Sequence, residues 1–242
     1  MSQKILDYEC WLVGSPLGQF LSRLDELRPQ ALKETKREVL VLTRFRVCIW
    51  EITAFSRYLG WILERLSDDF SKFLEPDLTP SHGKTVEFWA TIYPVNLDFI
   101  SFILFARILM DKISSLLHMI VVGEDKPSEI SFYDWRKRVG DYEGEGLEEL
   151  KKIINDADWF DELKDVRDDY IVHHGMLLSP SIGIVGEQIE LRFYSHTRKR
   201  DVAFTIKKIQ KLSDDIHQFL EDLTGFLCDN LDLLPITILK GR

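Results

Sequence analysis

Cysteine is scarce in this chain: three residues, Cys10, Cys48 and Cys228, stand in 242, with no CxxC pair among them. An odd, widely spaced set excludes a disulfide framework and a paired-cysteine zinc site, and fits reduced, buried thiols in a cytosolic protein. Long uncharged runs are short of a bilayer's needs. The longest, Phe88 to Leu97, carries Pro94 and is closed by Asp98, so no membrane span is expected. The N-terminus lacks the basic, apolar, small-residue order of a secretory signal, and a soluble cytoplasmic protein is the expectation. There is no glycine-rich phosphate loop and no serine nucleophile elbow, and Gly144-Glu145-Gly146 is too acidic to cradle phosphate.

A basic surplus is lacking as well. The formal net charge is −9, which argues against a general nucleic-acid coat, because phosphate binding is driven by clustered Lys and Arg. Local basic groups remain at Lys33/Lys36/Arg37, Arg136/Lys137/Arg138, Arg198/Lys199/Arg200 and Lys207/Lys208/Lys211. Each reads first as a solvated face. A metal site is not expected either. His173, His174, His196 and His217, with Asp168, Asp214 and Asp215, contain no His-x3-His or Glu-x2-His pair, and adjacent histidines diverge by about 100° around a helix. No cofactor is implied.

What is present is helical periodicity. From Gln30 to Leu74 the only glycine or proline is Gly60, and Val39, Leu42, Phe45, Ile49, Ile52, Leu59, Ile62, Leu66 and Phe70 recur at three- and four-residue steps. That predicts one long amphipathic helix, bent or broken near Gly60. A second long helix is predicted from Asn96, a good cap, to about Val122. Pro127 to Gly146 reads as a loop with at most one short turn, followed by a short helix from Leu147 to Ile154. A further helix is predicted from Trp159 to about Leu178, with Asp158 as its cap and Pro180 as its stop. Residues 182–205 alternate apolar and polar, as a β-hairpin does, and a last helix runs from Ile206 to Leu227. Residues 1–29 read as a short helical arm. With no repeat and no linker, the expectation is one domain over residues 1–242. It would be all-α, an antiparallel bundle of four to six main helices, with a small β-hairpin insertion before the last helix.

The stretch richest in chemistry is Arg167-Asp168-Asp169-Tyr170-Ile171-Val172-His173-His174, followed by Gly175. On an ideal helix Arg167 and His174 lie within roughly 20° of one face, and His173 lies about 120° from Arg167. Imidazole exchanges a proton near neutral pH, and guanidinium stabilises phosphate without losing its charge. Together they suit phosphodiester chemistry. The plain structural alternative is that the histidines cap a helix end against its dipole, with Arg167 paired to Asp158, Glu162 or Asp169. Asp98 and Asp111 are isolated acids on an apolar helix, expected to pair with Arg107 or Arg167. Trp50, Trp61, Trp89, Trp135 and Trp159 are expected to fill core or interface.

The spacing Arg-x5-His-His-Gly resembles the Arg-x4–6-His motif of the HEPN superfamily (higher eukaryotes and prokaryotes nucleotide-binding domain). The resemblance extends to Leu97-Asp98-Phe99 and to the run Phe105 to Lys112, and spans roughly residues 35–230. It implies a HEPN-like helical bundle that forms a homodimer, with a metal-independent ribonuclease site where two copies meet. The implied catalytic residues are Arg167, His173 and His174, with Asp168 orienting the arginine and Asp98 and Asp111 in support. The one-residue departure from x4 spacing leaves the choice between the two histidines open. RNA or a nucleotide is the implied substrate or ligand, with an antitoxin or another protein as a candidate partner, as in toxin–antitoxin and defence systems. The competing expectation is a non-catalytic helical dimer that binds nucleotide or a protein partner.

Overall fold

The computed structural model describes residues 16–27, 36–73, 85–122, 130–144, 146–168, 181–185, 188–195 and 199–230. Among these the fold is all-α, a helical bundle with one small antiparallel sheet ahead of the last helix. The helices are α1 (Pro16–Leu27), α2 (Lys36–Phe73), α3 (Thr85–Val121), α4 (Phe132–Arg138), α5 (Leu147–Asn155), α6 (Trp159–Val166) and α7 (Ile206–Asp229). The strands are β1 (Ser181–Val185), β2 (Gln188–Ser195) and β3 (Arg200–Thr205), paired in the order β1-β2-β3. The predicted hairpin is therefore present with one strand added. No helix among the described residues is long and apolar enough to cross a membrane.

Three boundaries differ from the sequence reading, each for a physical reason. Helix α2 runs unbroken through Gly60, where an added Cβ would meet nothing within 4 Å. A lone helical glycine costs about 1 kcal/mol, which the flanking buried Leu59 and Ile62 outweigh. Helix α3 begins at Thr85 rather than at Asn96, and holds Pro94 within it. Proline deletes one helical hydrogen bond and strains one turn, yet Val95, Phe99 and Phe102 beyond it are fully buried and keep the helix together. Asn96 is buried inside the helix instead of capping it. The predicted loop after Pro127 contains α4 and a 3₁₀ turn at Val139–Asp141. Ser131 caps α4, its Oγ accepting from the Asp134 amide at 3.1 Å and donating to the Asp134 carboxylate at 2.7 Å.

The chain groups into two compact units, and the boundary falls inside α2, α3 and α7. The first unit comprises residues 1–56, 108–157 and 217–242. Its core includes Phe20, Ile49, Ile52, Leu116, Trp135, Ile154 and Leu223. Helix α3 fixes the entry to α4: Asp111 accepts from the Phe132 amide at 2.9 Å, and the Ser114 hydroxyl donates to the Ile130 carbonyl at 2.7 Å. Phe132 then meets Phe219 of α7 edge-on, with ring centroids 5.7 Å apart. Cys48 of α2 is buried here, near the Glu51–Lys112 ion pair, and burial pushes its thiol up to about 11.

The second unit comprises residues 57–107 and 158–216. Its core is built from Leu66 of α2, Phe99 and Ile103 of α3, Phe160 and Leu163 of α6, Leu191 and Phe204 of the sheet, and Ile209 of α7. Cross-strand partners Leu191 and Phe204 put their side chains on the buried face, and Phe204 meets Phe99 with centroids 5.4 Å apart. This contact seats the sheet on α3. Burial of such aromatic and aliphatic side chains supplies roughly 1.5–3 kcal/mol each, which ties the short α6 into a unit it could not hold by propensity alone.

Candidate functional site

Helix α6 is short and begins with Asp161 and Glu162, acids that complement the positive end of its dipole. Asp158 precedes it, but its side chain makes no capping hydrogen bond and its backbone is already helical. The cap expected from sequence is thus an entry residue only. The helix buries Phe160, Leu163 and Val166 on one face. Two cations fasten it further. The Arg107 guanidinium of α3, 5% exposed, lies 4.9 Å from the centre of the Phe160 ring. Lys208 of α7 bridges to the Glu162 carboxylate and stands 4.4 Å from the centre of the Phe204 ring.

The end of α6 presents Arg167. Its amide donates to both Leu163 and Lys164 carbonyls, and Arg167 and Asp168 continue the chain as a wider π turn. Such a turn departs from the 3.6-residue spiral. Arg167 Nε lies 3.1 Å from Asp168 Oδ1, and Lys164 Nζ lies 3.4 Å from Asp168 Oδ2. The carboxylate therefore sits between two cations. The side chains of Arg167 and Asp168 are 30% and 26% exposed, accessible yet partly withdrawn from water. Asp168 stands at the Nε edge of the guanidinium. A guanidinium carries donors on three nitrogens, so one carboxylate beside Nε does not by itself exhaust them.

The other residues singled out from sequence fall in different places. His173 and His174 lie outside the described residues. Asp98 does not pair with Arg107 or Arg167: its carboxylate takes both Nε, at 2.9 Å, and Nη2 of Arg65 on α2. The pairing joins neighbouring helices across 33 residues of sequence, and no local pattern announces it. Asp111 serves the Phe132 amide at the start of α4. Lys164 and Arg107 were the residues the sequence reading underused. The first was detectable from its i,i+4 spacing to Asp168; the stacking of the second on Phe160 was not. Among the described residues no three His, Cys, Asp or Glu side chains gather as a metal would require.

Comparison with known protein families, with characterised proteins and with solved structures finds no match.

Proposed function

We propose that the chain is a metal-independent endoribonuclease of toxin or defence type, with Arg167, His173 and His174 as its catalytic residues. The carrying observation is Arg167, placed at the end of a firmly packed helix and held on one edge by Asp168. In the reaction the ribose 2′-hydroxyl attacks the adjacent phosphorus, and the bond to the 5′-oxygen of the next nucleotide breaks. One imidazole, His173 in the register of the resembled superfamily, takes the hydroxyl proton, and the leaving oxygen gains one. Arg167 stabilises the charge gathered on the phosphoryl oxygens. The products are a 2′,3′-cyclic phosphate and a free 5′-hydroxyl, so DNA is not a substrate. A single Arg/His set is half a site. We therefore include a cytoplasmic homodimer of HEPN-like bundles, in which isologous pairing brings two sets together, with an antitoxin or similar protein as the regulatory partner.

The acidic balance of the chain favours a second reading, a non-catalytic helical dimer that binds nucleotide or protein. The two separate on labelled single-stranded RNA in excess EDTA. Wild type should cut and leave cyclic phosphate ends. Arg167→Ala should slow cutting by about 10²–10³-fold, and the His173→Ala/His174→Ala double variant should abolish it. A folded wild type that leaves a panel of RNAs intact supports the second reading.

A further inference from the structure

One face of the second unit is exposed against the usual rule for large apolar side chains. On α2, Trp61 is 54% exposed, and on α3 Tyr93 and Leu97 are 61% and 58% exposed. Tyr93 and Leu97 border a cleft of about 520 Å³, whose other walls include Arg65, Asp68 and Lys72; Trp61 lies one turn before Arg65 on α2, outside the cleft. Aromatic residues and arginine surrounded by opposite charges make up the composition of protein interfaces. A phosphate-bearing ligand would meet Asp68, Asp69 and Asp98 in the same cleft, which disfavours it. The occupant is therefore a protein surface.

The sequence of the face says which protein. Trp61, Arg65, Asp68 and Lys72 follow one another at steps of four, three and four residues, so they form a single stripe along α2. Reversed end for end about the midpoint between residues 66 and 67, the stripe falls on its own complement. Arg65 comes opposite Asp68, and Trp61 comes opposite Lys72. Two antiparallel copies thus gain two Arg–Asp pairs and two lysine-on-indole contacts from one arrangement. Arg65 is already oriented for this, because Asp98 grips its inner edge while 64% of its side chain stays exposed. We propose that this face is where a second copy of the chain docks, with the α2 helices antiparallel about that midpoint. The inference takes from the proposed function only that the chain forms a homodimer; Arg167 is not among the residues that line this cleft, so the docking carries none of the RNA chemistry.

Sedimentation velocity at micromolar concentration, with circular dichroism for folding, tests the docking on wild type, Trp61→Lys and Asp68→Lys. Both substituted side chains are exposed, so native helicity should survive. Wild type should sediment as a dimer, and each variant should dissociate at least about tenfold more readily. A wild type that stays monomeric throughout overturns the proposal and leaves the face to a different protein. A dimer retained by either variant also overturns it, because the copies then meet elsewhere or in another register. RNA cleavage is scored separately: a monomeric Trp61→Lys supports the docking face whether or not wild type cuts RNA, and absence of cutting by a wild-type dimer removes only the enzyme.

Discussion

Two Arg–Asp pairs among the described residues of the second unit differ in where the acid sits. Asp98 is sunk between α2 and α3 with 5% of its side chain exposed, while its partner Arg65 reaches outward at 64%. Asp168 and Arg167 share an intermediate setting at 26% and 30%. In the first pair the arginine serves the acid, satisfying a carboxylate that would otherwise be stranded. In the second the acid serves the arginine, holding one edge of a cation with donors to spare. A pair of the first kind bears on stability, and the second is the one that the proposed chemistry uses. The hydrogen bonds it donates to Asp98 also raise the Arg65 guanidinium above its ordinary value, so it stays charged at any pH the fold survives.

Removing each arginine separates the two roles. Arg65→Ala should destabilise the protein by about 2–3 kcal/mol, because it leaves a buried carboxylate unsatisfied. Asp98→Ala should cost less, since Arg65 returns to water. Arg167→Ala should shift stability by no more than about 0.5 kcal/mol. Urea unfolding monitored by circular dichroism gives all three values. Equal losses for Arg65→Ala and Arg167→Ala would erase the distinction.

Cys48 extends the contrast to a buried group that is kept neutral instead of paired. Burial, with Glu51 adding and Lys112 opposing, pushes its thiol from the ordinary 9.0 up to about 11. A raised value means the folded protein holds its proton after the unfolded chain has lost it. The stabilisation is complete below pH 9.0 and is lost as pH rises toward about 11. The full loss amounts to about 2–3 kcal/mol. Urea midpoints at about pH 8 and again in the range between these two values should therefore fall more steeply for wild type than for Cys48→Ala. Parallel slopes would show that Cys48 is solvated in the folded state.

Much of this was legible from the residues, where the signal is local. Helices α2, α3 and α7 follow from apolar steps of three and four, and the sheet from alternation. Helix α4 was missed although Ser131 and Asp134 spell a capping pair three residues apart, because the surrounding loop-like composition outweighed it. The first turns of α3 were missed because Asn96 was read as its cap, when that residue is buried inside the helix. The Arg167–Asp168 contact was implied by the resemblance, whereas the residues alone offered Asp158, Glu162 or Asp169 as the partner. The Arg65–Asp98 contact was not, since it depends on how two long helices lie side by side.

Lys164 provides the finest test of how the two pairs differ. It lies 3.4 Å from Asp168 at i,i+4 on α6, with the cation on the N-terminal side, the weaker orientation for such a pair. Partly exposed, it should contribute no more than about 0.5 kcal/mol, so Lys164→Ala should leave the urea midpoint nearly unchanged. Its effect on Asp168 should still be measurable. With the lysine gone, Asp168 keeps Arg167 as its cation among the described residues, and the guanidinium should be held more firmly by its Nε edge. If Arg167 acts on phosphate, cleavage by Lys164→Ala should remain within a few-fold of wild type, while Asp168→Asn, which weakens the grip itself, should lose more. The reverse order would make Lys164 the cation that meets the substrate and Arg167 its neighbour.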